Sequence, residues 1–263
     1  MKLRLNLRER KMKFKQYLTE ANTFDKFLND VKSDCSDFLK DTDKPLWRGV
    51  RKSNTFGVDE ANENRKPKDS AHDLFFNNCF NLGIEQISNV PLIRTKALFC
   101  TSGFSQTAIY GPPHFIFPSN GCNYIFSNIV YDSYEDIHFG KHEFDIAFNN
   151  DWLNDTNLFN RIPNLTIEGC FEWAKEDGYD KKIVEKTTHD LGEMLRLDFN
   201  YDISSDVGDA TDNKVTHEIL CYGAKKYYRI NVDFLRKQLK MKDDNSAVFY
   251  QTLYTRLLEK INA

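Results

Sequence analysis

Phe24, Phe27, Leu28, Val31, Cys35, Phe38 and Leu39 recur at the three- and four-residue spacing of one helical face, and Thr23 stands in front with a hydroxyl suited to capping the first turn. The spacing predicts an amphipathic helix over 23–40. Asp41-Thr42-Asp43-Lys44-Pro45 ends it, because proline cannot continue a helix and disfavours helical geometry in the residue before it. Residues 21–44 therefore read as helix and linker, with the domain proper starting at 45.

From Leu46 the texture changes to short apolar runs rich in aromatic and β-branched residues, separated by polar loops: Leu46-Trp47, Ala97 to Cys100, Phe115 to Phe117, Tyr124 to Phe126, Ile129 to Tyr131, Glu218 to Cys221 and Tyr227 to Ile230. Runs of this kind predict strands. Asn54 to Asp69 is dense in Asn, Glu, Lys and Arg, has no period, and reads as a long surface loop. A broken helical pattern passes through Ile183, Val184, Leu191, Met194 and Leu195. At the end, Asn245-Ser246 precedes Val248, Phe249, Leu253, Leu257, Leu258 and Ile261 at helical spacing, which predicts a C-terminal helical segment over 233–263. Helices flanking a run of strands place the chain in the α+β class.

Composition fits that picture. The 263 residues are 40% apolar and 14% aromatic, with 21 Phe and 12 Tyr, so a large core is available and wholesale disorder is excluded. With 36 Lys and Arg against 39 Asp and Glu the net charge is −3, which gives no bulk attraction to nucleic acid or an anionic membrane. The charge is uneven, however: residues 2–15 carry seven basic side chains against Glu9 alone, so 1–20 reads as a basic arm. No run approaches the roughly 18 apolar residues of a membrane helix, and no apolar stretch follows the basic start as a secretory signal requires. No membrane is expected as a partner. The six cysteines, Cys35, Cys79, Cys100, Cys122, Cys170 and Cys221, form no C-x-x-C pair, so reduced thiols are expected and no structural zinc site or disulfide scaffold. His138 and His142 stand four apart beside Glu143, but no third ligand accompanies them, and no metal is expected.

Three constellations carry candidate chemistry. In Leu46-Trp47-Arg48-Gly49 an arginine sits inside a strand, where a buried guanidinium needs an anionic or hydrogen-bonding partner; a phosphate-bearing ligand supplies one, and an edge-strand ion pair supplies another. Cys100-Thr101-Ser102-Gly103 ends a strand with two hydroxyls and precedes a short helix presenting Tyr110, which suits a sugar and a flat ring or, equally, a simple hydroxyl-capped turn. Thr216-His217-Glu218-Ile219-Leu220 starts a strand with one carboxylate, solvated or functional. Its partner strand follows at Ala224 to Ile230.

Taken in this order, the three constellations resemble the ADP-ribosyltransferase superfamily, in its toxin-like branch with an Arg, Ser-Thr-Ser, Glu signature. The resemblance covers about residues 45–232 and implies a split β-sandwich with flanking helices. It also implies NAD as a substrate, mono-ADP-ribosylation of a host protein, and site roles for six residues. Arg48, with Gly49 beside it, would hold the NAD phosphates; Thr101 would shape the strand beside the nicotinamide; Ser102 would orient Glu218; Tyr110 would stack near the ring. Glu218 would hydrogen-bond the nicotinamide-ribose 2′-hydroxyl and stabilise the cationic transition state. The sequence departs from the pattern at Cys100, where the first Ser is expected, and at Thr216, where many members carry a Glu or Gln that orients the acceptor. An insertion around 140–205 is also required. The segment 207–217 would face the acceptor.

Met12 to Ala21 in turn resembles the capsid-targeting peptides of internal head proteins in large tailed phages, which are cut after a Leu/Ile-x-Glu site; Leu18-Thr19-Glu20 matches that site. This resemblance implies phage origin, a place in the head interior and later the host cytoplasm, and a capsid or scaffold partner for the arm. The competing expectation is a non-enzymatic internal or structural virion protein that keeps a transferase-like fold.

Overall fold

The computed structural model describes residues 23–41, 43–51, 55–61, 80–81, 84–85, 87–91, 93–131, 200–211, 216–242, 244 and 246–263. The basic arm, the His138/His142 pair and the helical pattern at 180–197 lie outside them, as do Cys79 and Cys170. Among the described residues no helix is long and apolar enough to cross a membrane.

The expected N-terminal helix forms as 23–34, one turn residue at Cys35, and a second helix, Ser36–Asp41. Asn120 causes the break by inserting into the ladder: its N–H donates to the Asp34 carbonyl (2.7 Å), and its Oδ1 accepts the Asp37 N–H (3.0 Å). The apolar face is the one the spacing marked, with Phe24, Phe27, Leu28, Val31, Cys35 and Phe38 all buried.

Among the described residues eight strands follow: β1 (Trp47–Gly49), β2 (Phe56–Glu60), β3 (Leu98–Thr101), β4 (Pro113–Pro118), β5 (Asn123–Ser127), β6 (Tyr201–Ser204), β7 (Glu218–Tyr222) and β8 (Lys226–Asn231). They form one antiparallel sheet in the order β2-β8-β4-β1-β3-β7-β5-β6. With its flanking helices this is an α+β architecture. Most neighbours share three to five register pairs, but β1 and β3 share only Trp47↔Thr101. The sheet therefore consists of two four-strand halves joined at a thin seam.

Three strand expectations change. Ile129 to Tyr131 is not a strand, because the Ser127 hydroxyl accepts the N–H groups of Ile129 and Val130 (3.3 and 3.2 Å) and turns the chain out of β5. Within the supposed loop 54–69, Phe56–Glu60 pairs with β8 as an edge strand; its outward charges hid the alternation. Strand β6 falls inside the span assigned to an insertion and closes the other edge of the sheet.

The main core lies against the first half of the sheet. Phe27 meets Tyr228 edge-on (5.6 Å), and from the C-terminal helix Ala247–Asn262 Tyr254 packs on Phe115 (5.2 Å) and Tyr250 on Trp47 (5.8 Å). Ser246 caps that helix by accepting the Phe249 N–H at 3.1 Å. In the second half, Cys100, Ile219, Cys221, Tyr124 and Phe126 belong to the same core. Strand alternation then turns Phe99, Thr101, Glu218 and Leu220 to the opposite face. There Phe80 and Ile93 are buried, with Phe80 edge-on to Tyr201 at 5.2 Å.

Candidate active site

Arg48 is the middle residue of β1, and its neighbour Trp47 is in the core. The guanidinium crosses the seam, where Nη1 donates to the carbonyl of Phe99 on β3. A main-chain carbonyl thus answers part of the need for a partner, and no carboxylate is required for it. Gly49 is dictated by close approach: an added Cβ would lie 2.4 Å from the Thr107 carbonyl oxygen and 2.8 Å from Gly111 N, so the helix Phe104–Tyr110 rests directly on the strand. Tyr110 ends that helix with its side chain 49% exposed, and its carbonyl accepts from Arg51 Nε (3.3 Å).

Thr101 stands opposite Trp47 on one side and Glu218 on the other, which makes it the centre of the row across β1, β3 and β7. Its hydroxyl accepts the Gly103 N–H (3.2 Å), the hydroxyl-capped turn that the sequence allowed. Ser102 leaves the strand and engages His217, the residue before Glu218. The Ser102 N–H donates to the His217 carbonyl (3.1 Å), and the Ser102 hydroxyl accepts the His217 N–H (3.0 Å). The same hydroxyl lies 3.1 Å from His217 Nδ1, while Nε2 lies 2.7 Å from the Ala210 carbonyl. A carbonyl only accepts, so in the neutral ring Nε2–H donates to Ala210 and Nδ1 accepts a hydrogen bond from the Ser102 hydroxyl. Ser102 therefore fixes the start of β7 through the fully buried His217.

Glu218 opens β7 with its side chain 11% exposed, and its Oε1 lies 3.6 Å from Nη1 of Arg94, whose side chain is 9% exposed. The Arg94 guanidinium sits over the rings of Phe80 (4.9 Å) and Phe99 (4.8 Å), and its backbone N–H donates to Asn81 Oδ1 (2.7 Å). A buried charge pair is tolerable only when geometry and further contacts compensate desolvation, and the two aromatic faces contribute to that.

Arg48, Thr101, Ser102 and Glu218 are thus gathered on or beside three adjacent strands at the seam, with Gly49 and Tyr110 contributed by the strand and helix that meet there. Sequence reasoning missed Arg94 and gave no role to His217. The only sequence signal for Arg94 was a basic residue directly after two apolar ones, in Leu92-Ile93-Arg94-Thr95-Lys96 just before β3. Among the described residues no three His, Cys, Asp or Glu side chains are placed to hold a metal. A cavity of about 190 Å³ opens elsewhere, between Phe104, Pro113, Arg236 and the start of the C-terminal helix at Phe249 and Tyr250. No family model, curated protein or solved structure matches the chain.

Proposed function

We propose that the chain is an NAD-dependent mono-ADP-ribosyltransferase of phage origin that modifies a host protein. The observation that supports this reading is the convergence of Arg48, the Thr101-Ser102 pair and Glu218 on β1, β3 and β7, three adjacent strands whose residues are far apart in the sequence. Arg48 takes the NAD diphosphate, a use suited to a permanently charged fork of donors. Thr101 and Ser102 shape the floor beside the nicotinamide ribose, and the exposed Tyr110 ring stacks near the nicotinamide. Glu218 accepts a hydrogen bond from the ribose 2′-hydroxyl, and its negative charge stabilises the cationic sugar as the glycosidic bond breaks and nicotinamide leaves with the electron pair. An acceptor nucleophile then bonds to the ribose C1′ and gives up its proton.

Incubation of the full chain with labelled NAD and host lysate is expected to label a protein and release nicotinamide. Glu218→Gln is expected to cut nicotinamide release by about 100-fold or more while NAD binding persists. Absence of both labelling and nicotinamide release in the unaltered chain overturns the reading. A second reading, a non-enzymatic virion protein with this fold, draws on the Arg94 ion pair that already engages Glu218. Calorimetry with NAD separates the two, since only the transferase binds it and loses that binding in Arg48→Ala.

A further inference from the structure

We infer that Arg94 is a positioning residue for Glu218, holding its carboxylate in a single orientation at the head of β7; the inference rests on the transferase reading above. A glutamate side chain turns about three bonds, so its carboxylate has many positions open to it unless a partner holds it. Arg94 removes that freedom because it is itself immobilised twice. Its main chain is tied to Asn81 at 2.7 Å, and its guanidinium is held against the faces of Phe80 and Phe99. At 9% and 11% exposure the two charges meet in a poorly screened environment, where a separation of 3.6 Å is strongly orienting.

Phe99 divides the labour of the two arginines. Its ring supports Arg94, and its carbonyl accepts from Arg48 across the seam. Arg48 is then left to the diphosphate, and Arg94 to the carboxylate. A planar guanidinium is needed for stacking and pairing at once, so lysine at this position keeps the charge and loses part of the aim. In this role Arg94 acts through Glu218 rather than on the reacting atoms.

The test uses the full chain and has two arms. In the first, urea unfolding is measured for Arg94→Met, Glu218→Gln and the double variant. Paired residues make the double variant lose clearly less than the two single losses together, because either single change strands a buried partner. Additive losses overturn the inference whether or not the chain cleaves NAD. In the second arm, Arg94→Met is expected to lower kcat for nicotinamide release by about tenfold or more while KM for NAD stays within about twofold, and Arg94→Lys to recover part of kcat. A rise in KM with kcat unchanged makes Arg94 a binding residue and overturns the inference, as does an unchanged kcat. Non-additive unfolding in a chain that releases no nicotinamide leaves the pair standing, sinks the transferase reading, and with it overturns the catalytic use of Arg94.

Discussion

Replacing Gly49 with alanine adds one methyl group where the helix Phe104–Tyr110 crosses β1. That carbon would lie 2.4 Å from the Thr107 carbonyl oxygen, 2.8 Å from Gly111 N and 2.9 Å from the Tyr110 carbonyl carbon. Ordinary contact starts at 3.4 Å, so moving the nearest atom from 2.4 Å to that distance is a retreat of about 1 Å. All three atoms are main chain, and no rotamer change relieves them. The helix cannot slide freely either, because Phe104 is stacked on Tyr250 (3.9 Å) and packed edge-on against Trp47 (5.4 Å). Overpacking of a tight core costs about 1–3 kcal/mol, and main-chain clashes on three sides put Gly49→Ala at the upper end. For a chain of this size each kcal/mol lowers Tm by roughly 2–4 °C, giving a loss on the order of 5–10 °C in a thermal melt followed by circular dichroism. Gly57→Ala is the control. Its added carbon meets only the guanidinium end of Arg229, at 3.0 Å, and a flexible side chain can move aside, so its effect should stay within about 0.5 kcal/mol. A Gly49→Ala melt within about 1 °C of the unaltered chain, or no worse than the control, refutes the direct seating of helix on strand.

Leu253→Ala removes a fully buried side chain from the C-terminal helix and should cost about 2–5 kcal/mol, read as a lower urea midpoint with an unchanged slope. Ser102→Ala leaves the His217 N–H and Nδ1 without their hydroxyl partner and should cost about 1–3 kcal/mol by the same assay; an unaltered midpoint sinks the bracing role. The Asp34 carboxyl is held below its ordinary 3.8, first by the hydrogen bond it accepts from the Tyr228 hydroxyl. A lowered folded value means that this stabilisation is present above pH 3.8 and is lost as pH falls through the folded value. The stability gap between Tyr228→Phe and the unaltered chain should therefore narrow only in acid, as followed by urea midpoints from about pH 2 to about pH 6. The phage reading predicts that protein recovered from mature particles begins at Ala21, and N-terminal sequencing that finds Met1 or Met12 intact removes the cleavage after Glu20.

What could be read from the chain was whatever depends on near neighbours. The buried face of the first helix follows from its spacing, and the cap at Ser246 from its place before an apolar run. Strands β3, β4, β5, β7 and β8 are each a short apolar run between turn residues. The features that escaped depend on partners distant in sequence. Nothing local in Ser33-Asp34-Cys35-Ser36 announces the break that Asn120 imposes. Phe56-Gly57-Val58-Asp59-Glu60 has too few apolar residues to betray an edge strand, because only one flank of it needs a partner. At the site, Arg48, Thr101, Ser102 and Glu218 were recognisable as residue types in order, but Arg94 was not. Its role comes from a ring on either side and a carboxylate more than a hundred residues downstream, and none of these leaves a mark within its own segment.

The strand order also dictates when the molecule can become whole during synthesis. Strand β7 is inserted between β3 and β5, and β8 between β2 and β4, although both come after the other six described strands in sequence. Until residues 218–231 leave the ribosome, β2 has no neighbour, β4-β1-β3 has two open flanks, and β5-β6 is an isolated ribbon. Such flanks present unpaired backbone groups to any passing chain, and closing them means joining segments separated by long stretches of sequence, a slow step in folding. The nascent protein is thus a natural client for chaperones, and chains that stop before β8 should be cleared or aggregate rather than accumulate as a folded fragment.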